Sequence, residues 1–275
     1  MTREPLALGI VSDEIAADFA QAVEHGAAWG IRRYELRCLT SGRVPLVSAE
    51  ELSLVRRLIE RNNLAVTALS PGIFKAPVSM ADQLERELTE VLPAALAMAK
   101  TLGCRLIIVF GFQQGPEAVE EQQVRAAALL RRAAEAAAAE GCRVAIENEP
   151  GFLCDTGRRT CELIAAVDHP ALGANWDPCN AFGTGEMPYP DGYEAIRRFI
   201  FNVHVKDTRA GALIQCVPVG RGVIDWRGQL AALARDRIVD HVTIETHCLP
   251  LVENSRENVL TIRRMLEEIS GDARV

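Results

Sequence analysis

Short β-rich runs alternate with longer helical stretches eight times along this chain, and that alternation constrains the fold more than any single motif. The runs expected as strands are Leu6–Val11, Arg33–Leu36, Ala65–Leu69, Leu106–Phe110, Arg143–Glu147, Leu172–Asp177, Phe201–Val205 and Val242–Glu245. Between them, helix formers or helical periodicity predict helices over Asp18–Trp29, Ala49–Arg61, Asp82–Thr101, Glu117–Ala139, Thr160–Val167, Gly192–Phe199, Arg227–Ala234 and Arg256–Glu268. Ser48 ahead of Ala49-Glu50-Glu51 reads as a capping box, and Gly103 and Gly141 stand where helices end in a left-handed residue. Spread over 275 residues, eight units take about 34 residues each, which suits a (β/α)8 barrel of the α/β class. No linker rich in Pro, Gly or Ser divides the chain, so a single domain over residues 1–275 is expected. A doubly wound open sheet is the competing architecture, but Gly9-Ile10-Val11-Ser12-Asp13-Glu14 lacks the G-x-G-x-x-G of its dinucleotide-binding version.

Charge and hydropathy narrow the partners. With 37 acidic against 30 basic side chains the net charge is −7, which repels phosphate backbones and anionic lipid. Nucleic acid and membrane are therefore not expected partners. Apolar stretches such as Leu92–Ala99 fall far short of the roughly 20 residues that span a bilayer. Met1–Pro5 leads into no signal-peptide core, so a cytoplasmic protein is expected. The eight cysteines show no C-x-x-C spacing and read as plain thiols.

Active sites of such barrels lie at the C-terminal ends of the strands. Strand five ends in Glu147, strand six in Asp177, strand seven carries His204 and strand eight ends in Glu245. Strand alternation sets Glu147 with Ala145, Asp177 with Asn175, His204 with Asn202, and Glu245 with Thr243. The opposite parity, Val144, Ile146, Trp176, Phe201, Val203, Val205, Val242 and Ile244, is apolar and must face the helices. All four polar ends then point inward at one rim. Asp, Glu and His hold 42 of the 275 positions, so four strand ends matching by chance is on the order of 10⁻³. Three carboxylates crowded inside a barrel repel one another unless a cation compensates. One divalent metal ion answers that need, and the hard oxygen-rich donor set favours Mn, Mg or Co, with Zn possible.

Four motifs carry a resemblance. Ile146-Glu147-Asn148-Glu149, Trp176-Asp177-Pro178-Cys179-Asn180-Ala181, His204-Val205-Lys206-Asp207 and Gly220-Arg221-Gly222-Val223-Ile224-Asp225-Trp226 are together similar to the xylose isomerase-like TIM-barrel superfamily. That group includes sugar isomerases and epimerases, inosose and dehydroshikimate dehydratases, and the endonuclease IV type of repair enzyme. The resemblance implies Glu147, Asp177, His204 and Glu245 as metal ligands. It also implies that Glu147 and Glu245 move protons, through a cis-enediolate, on a small sugar or polyol ketone. An isomerase or epimerase is the expected activity. A dehydratase on the same site is the alternative, which Val11-Ser12-Asp13-Glu14 resembles in its first loop, and a non-catalytic metal-binding barrel is a third reading. The trinuclear zinc site of endonuclease IV is not expected, because the ends of strands three and four (Ser70-Pro71-Gly72 and Gly111-Phe112-Gln113) hold no histidine. Superfamily relatives are often homodimers or homotetramers.

Substrate contacts are expected from a wider set. Lys206 shares the parity of His204 and could meet a substrate oxygen or form a rim salt bridge with an acid, and His247 follows Glu245 by two residues. Glu35 ends strand two on the side opposite Leu36 and could meet a sugar hydroxyl or form a structural ion pair with a nearby arginine. Asn180 stands where ketohexose epimerase relatives place a histidine. Arg221, with the N–H groups of Gly220 and Gly222, could cradle a phosphate. His241 lies at the bottom of its strand and reads as structural.

Overall fold

The computed structural model describes residues 6–272 apart from residue 212; Met1–Pro5, whose sequence bears on export, lies outside the described residues. Eight parallel strands close into a barrel: β1 Ala7–Val11, β2 Arg33–Leu36, β3 Ala65–Leu69, β4 Leu106–Phe110, β5 Arg143–Glu147, β6 Leu172–Trp176, β7 Ile200–Val205 and β8 His241–Ile244. Each pairs with its neighbours in chain order, and β8 returns to β1 with Ala7 opposite His241 and Ile10 opposite Ile244. The open-sheet alternative is thereby excluded. Asp177 and Glu245 lie one residue beyond the ends of β6 and β8, so both ligand types start the loops rather than finish the strands.

The helices are α1 Phe19–Ala28, α2 Ala49–Asn62, α3 Ala81–Arg86, α4 Leu92–Thr101, α5 Val119–Ala139, α6 Gly157–Val167, α7 Pro178–Phe182, α8 Tyr193–Ile196, α9 Trp226–Asp236 and α10 Leu251–Asp272. Side-chain oxygens of Asp18, Ser48, Thr156 and Asp225 satisfy the first N–H groups of α1, α2, α6 and α9. At α2 only half of the expected capping box forms. Ser48 accepts from the Glu51 N–H at 3.1 Å, but the Glu51 carboxylate turns to the N–H groups of Thr40 and Ser41. The helix expected over Asp82–Thr101 widens into a π-turn at Glu87–Val91 just before Pro93, whose ring nitrogen offers no donor. The helix expected over Gly192–Phe199 shortens to the single turn of α8, flanked by irregular turns. No helix among the described residues is long and apolar enough to cross a membrane, and all eight cysteines are free thiols.

Burial follows strand parity. Val144, Ile146, Ala174, Trp176, Val203, Val205, Val242 and Ile244 join the helices in one continuous apolar core. Inside the barrel a smaller apolar cluster, Ala68, Leu106, Ile108 and Ala145, packs against Phe201 and closes the bottom. Phe201 departs from its expected outward parity. Between β6 and β7 the register jumps, Ala174 opposite Ile200 and then Asn175 opposite Asn202, so Phe201 is an extra residue bulged out of the ladder. Its ring fills the space left by Gly173, where a Cβ would stand 2.5 Å from the ring carbons. Above this floor lies a polar layer of Glu35, Asn175, Asn202 and Thr243, each buried. The amide of Asn202 donates to Asn175 Oδ1 at 3.0 Å and to Glu35 Oε2 at 3.2 Å. The strand-end cluster of Glu147, Asp177, His204 and Glu245 sits on top of that layer.

Candidate metal centre

Four side chains converge at the C-terminal mouth. Glu147, Asp177, His204 and Glu245 each offer one donor atom, all within 4.8 Å of one another, and all four residues are buried. They come from four successive strand ends, so the barrel closure itself assembles the cluster. Asp177 is held most firmly. It caps α7, taking the Asn180 N–H on Oδ1 at 2.9 Å, and Pro178 follows at the first helical position. The Asn148 amide clamps the same turn, donating to the Asp177 carbonyl at 2.8 Å while its oxygen takes the Asp177 N–H at 2.9 Å.

His204 stands between two layers. Its Nε2 lies 3.0 Å from Glu35 Oε2 below, and its Nδ1 lies 3.2 Å from the Asn175 amide nitrogen, 3.3 Å from Glu147 Oε1 and 3.4 Å from Glu245 Oε2. Carboxylates flank both ring nitrogens, which favours the charged imidazole, so the ring must give up a proton before a nitrogen can ligate. Lys206 reaches in from one residue past β7, its Nζ 2.8 Å from Asp177 Oδ2 and 2.9 Å from Glu245 Oε2.

The electrostatics are those of a crowded, dry site. Burial alone would raise the Glu245 carboxyl, but Lys206, His204 and His247 hold it well below the usual carboxylate range. Glu147 moves less far in the same direction, burial being outweighed chiefly by His204. Asp177 goes the other way: burial pushes it up despite the ammonium of Lys206. Burial opposes the charged forms of His204 and Lys206 as well, yet the surrounding carboxylates raise both well above their ordinary values.

The residues present fit a divalent cation. Asp177 Oδ2 is buried and accepts no well-directed hydrogen bond, although an ammonium lies beside it. Three carboxylates and one imidazole nitrogen form an oxygen-rich donor set suited to a hard or borderline ion. Glu147, Asp177, His204 and Glu245 would hold it.

A family model for the xylose isomerase-like TIM barrel matches residues 23–269. The chain belongs to the xylose isomerase-like TIM barrel family. No curated protein sequence matches it. Among solved structures, a D-tagatose 3-epimerase-like protein superposes with a TM-score of 0.81 at 18% identity, over 98% of this chain and 100% of that one. The probable 3-DHS dehydratase AsbF of Bacillus anthracis gives 0.75 at 21% identity, over 94% and 99%. A xylose isomerase-like TIM barrel protein from Mycobacterium smegmatis, in complex with magnesium, gives 0.73 at 18% identity, over 97% of each chain. At these identities the likeness speaks for the shared xylose isomerase-like fold.

Within that fold the other expected contacts sort themselves. Lys206 is in the cluster. His247 stands at its edge, Nδ1 2.8 Å from Glu14 Oε1 and 3.8 Å from Glu245 Oε1, with its side chain 41% exposed. Glu35 is not at the mouth. It is fully buried beneath His204, so the hydroxyl contact expected of it gives way to support of that ring. Asn180 is also turned to structure, its amide donating to the Asn148 carbonyl at 2.9 Å. Arg221 faces outward to Glu257 at 2.7 Å, with its side chain 66% exposed. The phosphate cradle expected around it is already filled. Asp207, fully buried, accepts the N–H groups of Gly220 and Gly222 on Oδ2 and those of Thr208 and Ile224 on Oδ1. The chain's own carboxylate thus takes the anion's place. His241 pairs with Asp240 at 2.6 Å at the bottom of β8.

Sequence reasoning passed over Arg37, Glu14 and Asn148. Arg37 bonds Glu245 Oε1 at 2.8 Å, and the signal that could have found it is its two-residue step from Glu35, the step that picked Lys206 from His204. Asn148 gave no such signal, because a backbone clamp depends on how two loops approach.

Proposed function

We propose that this protein is a divalent-metal-dependent isomerase or epimerase of a small sugar or sugar-like polyhydroxy carbonyl compound. The observation that carries the reading is the buried convergence of Glu147, Asp177, His204 and Glu245 at one strand-end rim. A bound divalent ion would supply Lewis-acid polarisation of a carbonyl and its neighbouring hydroxyl. Glu147 and Glu245 are the proton carriers. Both are carboxylates in a dry site, on separate strands, and one removes a carbon-bound proton while the other returns it. Lys206 donates to a substrate oxygen from the Asp177 side, and His247 meets the substrate at the open edge. Mn, Mg, Co and Zn are all compatible with the donor set.

A dehydratase of the inosose or dehydroshikimate type is the second reading. The charged N–H donors of Lys206 beside Glu245 favour it, since elimination needs the negative charge on the departing oxygen to be stabilised. The likeness to a probable 3-DHS dehydratase supports the same reading.

Incubation of the metal-loaded protein with aldoses, ketoses and inososes in D2O separates the two. An isomerase or epimerase places deuterium on carbon, or shifts a proton within the molecule, without creating a chromophore. A dehydratase produces a conjugated product with new ultraviolet absorbance. If neither exchange, proton shift nor absorbance arises across the panel with any of the four metals, proton-transfer chemistry is wrong for this site.

A further inference from the structure

Glu245 enters the cluster from the loop after β8, and one guanidinium bonds to one of its two carboxylate oxygens. Arg37 spends its three nitrogens on three different carboxylates: Nε lies 2.9 Å from Asp13 Oδ2, and the two terminal nitrogens lie 2.6 Å from Glu14 Oε1 and 2.8 Å from Glu245 Oε1. The Arg37 side chain is 18% exposed, against 3% for Glu14 and 6% for Glu245, so this knot is largely shielded from water. The other oxygen of Glu245, Oε2, is the one that faces Lys206 and His204.

Glu14 extends the hold to the far side of Glu245. Its Oε2 accepts the His247 N–H at 2.7 Å, and His247 adopts a left-handed φ of +50°. Such a conformation in a non-glycine residue persists only where its surroundings impose it. Loops after β1, β2 and β8 are therefore tied together at the seam where the barrel closes. Glu14, Glu245 and His247 also gather donor atoms within 4.8 Å, but there Arg37 already supplies the positive charge.

We propose that Arg37 is a positioning residue for Glu245: by claiming Oε1 it leaves only Oε2 to the cluster, so Glu245 contributes a single oxygen in a set orientation. The planar fork matters here as well as the charge, because an ammonium donates its three N–H bonds from one freely rotating atom and does not fix where each carboxylate oxygen sits. This inference rests on reading Glu147, Asp177, His204 and Glu245 as a metal site, and concerns how one ligand of that site is held.

Titration of the full chain with Co²⁺ tests it, followed by visible absorption, whose bands report coordination number and geometry. Wild type comes first, and its failure to take up Co²⁺ would overturn the metal reading itself. Arg37→Lys keeps the charge and loses the fork. It is expected to bind Co²⁺ about tenfold more weakly, the lower end of what removing an outer-shell partner costs, and with altered bands because Oε1 is released. With a turned-over substrate, kcat drops and KM stays within about twofold, as for an interaction made in the transition state. Asp13→Asn loosens Arg37 at Nε from a residue with no bond to Glu245 or His247 and shifts the bands in the same direction by less; it decides the matter alone if Arg37→Lys does not fold. Bands and affinities superimposable on wild type, whatever the unfolding midpoints, overturn the proposal.

Discussion

Glu35 shows what one carboxylate does a single layer beneath a proposed metal ligand, His204. Strand parity pointed it inward, as for Glu147, but parity carries no depth, and the sequence could not distinguish a contact at the mouth from a support below it. Its Oε2 lies 3.0 Å from His204 Nε2, while its Oε1 is buried without a partner. Outer-shell partners of this kind set a ligand's tautomer and basicity, so Glu35→Gln is expected to weaken Mn²⁺ binding by roughly 10–100-fold, measured by calorimetric titration. Equal affinity would show that the ring needs no support. The proton on His204 gives a second expectation. Burial would lower its pKa, but Glu35, Glu147 and Glu245 raise it well above the ordinary value of about 6.5. Below that raised value the imidazole is charged, and the metal must displace a proton to reach Nδ1. Affinity therefore rises with pH through neutrality and above, and binding heats vary with the ionisation enthalpy of the buffer. A flat profile with buffer-independent heats would remove Nδ1 from the ligand set.

At the level of elements, periodicity was the most legible property of the chain. β2 to β5 lie over the expected residues, because apolar parity and helix formers report local structure directly. What escaped was any feature that depends on a neighbouring strand. The extra residue in β7 reverses the parity of Phe201, and nothing within Phe201–Val205 announces it, since the bulge is defined by register against β6. Gly173 is its counterpart on the facing strand. A Cβ there would meet the Phe201 ring at 2.5 Å and the Phe199 carbonyl oxygen at 2.6 Å, and a backbone oxygen cannot swing aside. Gly173→Ala is accordingly expected to cost about 1–3 kcal/mol, the usual range for overpacking, read from the urea midpoint with an unchanged slope. A neutral substitution would mean that the floor of the barrel repacks freely. Asp207 teaches the same lesson at the rim. Gly220-Arg221-Gly222 looks from sequence like an anion cradle, and it is one, but the anion is a side chain from the start of the same connection between β7 and α9.

For the molecule as a whole, the site and the fold share one origin, since the barrel's closure is what brings β5, β6, β7 and β8 to a common rim. The unfolded chain has no means of gathering Glu147, Asp177, His204 and Glu245, so a cation bound by all four binds the native state alone. Linkage then makes metal a stabiliser: at a hundred times its Kd it contributes about 2.7 kcal/mol, which for a domain of this size is roughly 5–10 °C in unfolding midpoint. Mn²⁺ is expected to raise the midpoint by that amount in wild type and EDTA to reverse it, followed by calorimetry or circular dichroism. Glu147→Gln and Glu245→Gln each remove a ligand charge while keeping shape, so both should lose most of the increment. Their metal-free midpoints test a different quantity, the balance between crowded carboxylates and the two buried cations, His204 and Lys206. A rise that is undiminished in both variants would mean that the cation stabilises the barrel from some other place on its surface, and the proposed metal-ligand roles of Glu147 and Glu245 would fail.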